Sequence, residues 1–179
     1  MIDQLKKKIR KEIKEIKLRY SFEQKNELSI GIFNRLEQEP AFIKAKTIML
    51  YWSMKDEVHT HDFVYKWANK KQIILPSVAG DNLILKEYKG LDQMSPGEGY
   101  GILEPEGPEF CNPKNIDLII VPGIAFDKHN NRMGRGKAYY DKLLTSLNAT
   151  KIGICFDFQL LETVPTDEHD IKMDLVITN

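Results

Sequence analysis

Apolar residues recur every three or four positions at Ile2, Leu5, Ile9, Ile13, Ile16 and Tyr20. The first twenty residues therefore read as an amphipathic helix with one apolar stripe. Ser21, followed three residues later by Gln24, has the pattern of a capping box and predicts a second helix from residue 22 to about residue 37, which Pro40 closes. Beyond it the period changes. Short β-like runs follow at residues 47–52, 72–75, 83–88, 116–121, 151–155 and 175–178. Several are apolar at consecutive positions rather than alternating, as expected of strands covered on both faces. Helical stretches fall between them at about 61–70 and 137–147. This alternation predicts an α/β fold: a single three-layer domain over residues 1–179, with a mostly parallel open sheet, helices on both faces and a basic N-terminal helix. The segment 95–113 is rich in Pro and Gly and reads as a long surface loop of the kind that carries function.

Composition narrows the class without changing the fold. The 179 residues are 42% apolar and 29% charged, a globular balance that excludes a disordered or collagen-like chain. No apolar run approaches the roughly 20 residues of a membrane helix. The charged N-terminal segment lacks the apolar core of a signal peptide, so the expected address is the cytoplasm. Cys111 and Cys155 make no disulfide framework and have no zinc spacing. Net charge is zero, yet the first twenty residues hold eight basic and three acidic groups, 8 − 3 = +5. Such a helix attracts an anion. From charge alone that anion is a nucleic acid or a phosphate-bearing small ligand, unless the helix simply presents a solvated face.

The candidate chemistry lies in residues 121–141, VPGIAFDKHNNRMGRGKAYYD. This stretch leaves a predicted strand and enters a predicted helix, the place where open α/β sheets bind ligands. Gly134 and Gly136 allow backbone N–H groups to approach an anion, and Arg132, Arg135 and Lys137 add full charges. A phosphoryl group is the natural occupant. Asp141, one turn beyond Lys137, suits Mg²⁺ held against that phosphate. The stretch is not a Walker A loop, because Asn131 and Ala138 stand where that motif needs Gly and Ser or Thr. Trp52 and Trp67 read as packing residues.

The run Pro122-Gly123…Phe126-Asp127…Arg132…Gly134-Arg135-Gly136-Lys137-Ala138-Tyr139-Tyr140-Asp141 resembles the 5-formyltetrahydrofolate cyclo-ligase family. Lys6…Arg10, Ser53-Met54…Asp56-Glu57-Val58…Thr60, Gly101-Ile102…Glu104-Pro105 and Glu168-His169-Asp170…Lys172-Met173-Asp174 extend the resemblance along nearly the whole chain. It implies an enzyme that uses ATP and Mg²⁺ to close 5-formyltetrahydrofolate into 5,10-methenyltetrahydrofolate, releasing ADP and phosphate. By resemblance, Lys6, Arg10, Arg132, Met133, Gly134, Arg135, Gly136, Lys137, Ala138, Tyr139 and Tyr140 surround ATP. Met54, His59, Tyr100 and the stretch Arg135, Gly136, Lys137, Ala138, Tyr139 border the folate. Asp141 and Asp170 match the magnesium positions, and Lys137 and Arg135 are the catalytic groups. No protein nucleophile is implied. The partners are then these small molecules, with neither nucleic acid nor membrane, and the expected state is a monomer. The alternative on the same scaffold is a non-catalytic nucleotide or phosphate sensor.

Two positions depart from the family's usual pattern. Most relatives carry an acidic residue where this chain has His59, and Glu57 would point elsewhere if its segment were extended. Relatives usually have Gly at 138. Alanine suits a helix and is expected to be accommodated there unless the backbone needs positive φ.

Overall fold

A computed structural model describes residues 1–99 and 101–179; the expectation for Tyr100 lies outside the described residues. The chain runs α1 (Ile2–Lys17), α2 (Phe22–Leu36), α3 (Pro40–Lys44), β1 (Thr47–Met49), α4 (His61–Trp67), β2 (Gln72–Ala79) and β3 (Asn82–Glu87). It continues with β4 (Met94–Pro96), β5 (Leu103–Pro105), β6 (Leu118–Val121), β7 (Ala125–Asp127), β8 (Arg132–Met133), α5 (Tyr139–Thr145), β9 (Thr150–Ile154), β10 (Leu160–Leu161) and β11 (Leu175–Ile177).

The main sheet has the order β11-β9-β6-β1-β2-β3. The first five are parallel, and β3 returns antiparallel from β2 at the edge. The consecutive apolar runs are explained by cover on both faces. Ile48, Ile73, Leu75, Leu118, Ile120 and Ile152 pack with Ile32, Phe33, Leu36, Phe42 and Val64 from α2, α3 and α4. Met49, Ile74, Ile119 and Val121 pack with Leu144 and Leu147 at α5 on the other face. Ile48, Leu118 and Ile120 are fully buried, and each such side chain contributes about 1.5–3 kcal/mol.

Helix α1 belongs to neither layer. Its stripe, Ile9 and Ile13, packs on Ile124, Ala125, Met133 and Val164. These residues lie in and around a small sheet of order β10-β7-β8, which follows the carboxyl end of β6. The basic helix is thereby held beside the end of the main sheet, where ligands bind in this architecture.

Ser21 and Gln24 form the capping box on α2. Pro40 ends that helical region and also opens α3 at its first turn, where its missing N–H costs nothing. Two expectations need correction. The segment 95–113 is not a structureless loop, because β4 and β5 pair antiparallel within it. The predicted helix 137–147 starts later, at Tyr139, because Ala138 has φ 55° and ψ 15°. Lys137 therefore precedes the helix, and Asp141 stands in its first turn. Among the described residues, no helix is long and apolar enough to cross a membrane.

Candidate active site

The segment between β8 and α5 carries the glycines, and its geometry explains them. Gly136 has φ 99°, and a Cβ there would meet the Arg10 guanidinium at 3.3 Å. Arg10 donates from Nε to the Gly134 carbonyl at 3.0 Å, which clasps the loop to α1. Behind the loop, Arg132 is buried. It donates from Nε to the Pro122 carbonyl at 2.8 Å and from Nη1 to Asp141 Oδ1 at 3.2 Å. Its guanidinium also sits 5.3 Å from the centre of the Tyr140 ring. Burial lowers the Arg132 pKa against the pull of Asp141, and burial raises that of the Tyr140 hydroxyl.

The turn before the loop is fixed by Asp127. This carboxylate is buried and accepts from His129 N, Asn131 N, Asn131 Nδ2 and Val164 N at 2.9–3.0 Å. Burial pushes its pKa up, but these four donors hold it below the usual carboxylate range.

Residues 53–60 form a second wall. Thr60 N donates to Ser53 Oγ at 2.9 Å and Thr60 Oγ1 accepts from Ser53 N at 3.1 Å. This double clip folds the segment back, and a turn from Met54 O to Glu57 N follows at 3.1 Å. Glu57 accepts from Met54 N at 2.9 Å and from Arg135 Nη2 at 3.1 Å. Asp56 accepts from the same Nη2 at 3.0 Å. Burial raises the Glu57 pKa despite these donors, whereas for Asp56 the charges of Lys17 and Arg135 outweigh burial and lower it.

A third wall comes from the C-terminal loop. Lys6 Nζ lies 2.9 Å from both Asp167 and Asp170. Burial alone would lower the Lys6 pKa; the two carboxylates raise it. Asp167 N donates to Asp170 Oδ2 at 2.9 Å.

These walls enclose one cavity of about 430 Å³. It gathers Lys6, Arg10, Met54, Arg132, Met133, Gly134, Arg135, Gly136, Lys137, Ala138, Tyr139, Tyr140, Asp141 and Asp170, so nearly every residue expected from the sequence meets in one place. Lys137 is exposed and, among the described residues, matched to no carboxylate. Trp52, Val78, Leu83 and Leu103 add an apolar lining fit for a flat ring.

His59 is not among the lining residues. Its backbone N–H donates to Ser29 Oγ at 2.9 Å, and its ring packs between Phe22 and His61. Glu57, which the extended reading turned away, lines the cavity because the segment bends. Sequence reasoning also missed Asp167 and gave Trp52 only a packing role. Trp52 does pack, stacked on His61 at 3.9 Å, yet it also faces the cavity. Both misses are adjacent to recognised motifs, and only the fold shows which neighbour points inward.

The chain matches the 5-formyltetrahydrofolate cyclo-ligase family over residues 2–179. It is similar to the solved 5,10-methenyltetrahydrofolate synthetase of Aquifex aeolicus, 35% identical with TM-score 0.87, covering 97% of this chain and 89% of that one. The solved 5,10-methenyltetrahydrofolate synthetase of Mycoplasma pneumoniae is 30% identical with TM-score 0.77, covering 97% and 98% of the two chains. A probable 5-formyltetrahydrofolate cyclo-ligase of Schizosaccharomyces pombe is 30% identical across 84% of this chain and 83% of the relative. With the match running from the basic helix to the last strand, this chain belongs to the 5-formyltetrahydrofolate cyclo-ligase family.

Proposed function

We propose that this chain, acting as one cytoplasmic domain, converts 5-formyltetrahydrofolate and ATP into 5,10-methenyltetrahydrofolate, ADP and phosphate. The observation that carries the reading is the convergence of Lys6, Arg10, residues 132–141 and Asp170 on one cavity that Trp52, Met54 and Glu57 also line.

A formyl amide is a poor electrophile, and its oxygen is a poor leaving group. In the reaction, that oxygen attacks the γ-phosphorus and the bond to ADP breaks. The second folate nitrogen then adds to the activated carbon, and the carbon–oxygen bond breaks to release phosphate. Phosphoryl transfer asks the protein for positioning and charge stabilisation. Lys137 meets the charge gathering on the transferring group. Gly134 and Gly136 let the backbone close on the phosphates, with Arg10 clasping the loop. Arg135, oriented by Asp56 and Glu57, lies where phosphate and folate adjoin. Arg132 acts from behind, holding Asp141 in place.

Asp141 and Asp170 suit magnesium. Both line the cavity, both side chains are 17% exposed, and carboxylate oxygen is the donor a hard cation prefers. Among the described residues no group of three or more His, Cys, Asp or Glu is placed to hold a metal. An ion here would thus take its other donors from phosphate and water. When bound, magnesium supplies neutralising charge on the phosphate oxygens.

The sensor alternative drew on His59, and that residue does not line the cavity. The two readings separate on ATP turnover. The expected result is ADP and phosphate released only when 5-formyltetrahydrofolate is present; nucleotide binding with no folate-dependent release, in folded protein, would refute the enzyme.

A further inference from the structure

No step of the proposed cyclisation uses a histidine, yet one is built in behind the wall of the cavity. Trp52 is 7% exposed and lines the cavity. The His61 ring lies against it, 3.9 Å between ring centres and 14° from parallel. Tyr65 and Tyr88 stand farther off, at 5.9 and 6.0 Å. Among the described residues, His61 is thus the nearest aromatic partner of the indole. It is not itself a lining residue, so any effect on a ligand passes through Trp52.

The local backbone puts His61 there. It opens α4, a helix with no side-chain cap, because the Thr60 hydroxyl is engaged elsewhere. That hydroxyl donates to the Tyr51 carbonyl at 2.6 Å and accepts from Ser53 N at 3.1 Å, and Thr60 N donates to Ser53 Oγ at 2.9 Å. The residues on both sides of Trp52 are therefore tied to the start of α4. His61 Nε2 adds a further tie, 3.1 Å from the Ser53 carbonyl oxygen. A carbonyl only accepts, so Nε2 carries the proton. Burial and the adjacent His59 ring bring the His61 pKa down to about 4. Near pH 7 the ring is neutral and stacks as an aromatic rather than a cation.

An indole free to change rotamer would lose that freedom when a flat ligand ring packed on it, and the loss would weaken binding. A stacked ring with its own hydrogen-bonded anchor removes that loss beforehand. We propose that His61 is a positioning residue for the folate: stacked on Trp52, it holds the indole in place as the wall against which the flat folate ring packs. The inference rests on the proposed cyclisation.

In the test, the wild-type chain is compared with His61→Ala, His61→Gln, which keeps a donor without a ring, and His61→Phe, which keeps a ring without a donor. Thermal transitions show that each is folded. Each is also made with Trp67→Phe, which leaves Trp52 as the sole tryptophan. The expected KM for 5-formyltetrahydrofolate rises about fivefold in His61→Ala and His61→Gln, with the KM for ATP within about twofold of wild type. The Trp52 emission maximum moves to the red in the same two variants. His61→Phe restores the emission and brings the folate KM back within about twofold. An unchanged folate KM in folded His61→Ala and His61→Gln, folate and ATP KM values that rise together, or a folate KM that His61→Phe leaves raised would each overturn the positioning role and leave the cyclisation standing. No methenyl product from the wild-type chain refutes the cyclisation itself, and the role of His61 with it.

Discussion

At Ala138 the chain keeps an alanine in left-handed backbone, φ 55°. That conformation costs a residue with a Cβ about 1–2 kcal/mol, partly offset because alanine also restricts the unfolded chain. Ala138→Gly should therefore stabilise the protein by about 0.5–1 kcal/mol and raise Tm by about 2 °C, which calorimetry would detect; an unchanged or lower Tm would argue against strain. The expectation that alanine fits here as a helical residue fails because the helix starts one residue later. Asp127 presents the opposite case, a side chain whose four donors leave it little freedom. Asp127→Ala should cost about 3 kcal/mol by denaturant unfolding. Its carboxyl is lowered in the folded state, so its contribution is full above the unfolded pKa near 4 and is lost as pH falls through the lower folded value. In the cavity, Lys137→Ala should reduce kcat/KM by about 100-fold or more, and retained turnover would remove this lysine from the chemistry. Steady-state kinetics also decide between two neighbours: Glu57→Ala should raise the folate KM about tenfold, whereas His59→Ala should change it by less than about threefold.

Among the elements, α1 depends on its partners for its place. Two isoleucines seat it on the small sheet, and Lys6 ties its first turns to Asp167 and Asp170. Asp167→Ala removes one of the two carboxylates on Lys6. The expected outcome is faster amide exchange in the first turns of α1 together with a changed ATP affinity; exchange that stays the same would show that the second carboxylate suffices. Much at this scale was legible in the sequence. The 3.6-residue period of α1, the Ser21–Gln24 box of α2 and the apolar runs of β6 and β9 each report a local preference that the fold keeps. The missed elements include the five-residue α3 and the strands β7, β8 and β10, two or three residues each. Runs this short carry no periodic signal, and β10 is fixed only by pairing with the distant β7. The β4–β5 ribbon escaped for the same reason, hidden in a segment whose Pro and Gly content reads as irregular.

For the whole molecule, the neutral total conceals a division of labour. An N-terminal helix with four excess positive charges, 7 − 3 = +4 over Ile2–Lys17, is brought against the carboxyl end of a parallel sheet, where a glycine loop and carboxylates from the far end of the chain also arrive. The candidate site was legible because its loop is one contiguous run, from Arg132 to Asp141. Its depth was not, since Trp52, Glu57 and Asp167 join through chain reversals that only tertiary structure reveals. All of it rests on ATP and a reduced folate meeting in that one cavity. The most direct measurement is the methenyl-folate absorbance band on mixing the protein with 5-formyltetrahydrofolate, ATP and Mg²⁺. The account predicts a rise that requires ATP and is lost in Lys137→Ala; folded wild-type protein that leaves the band flat would contradict it.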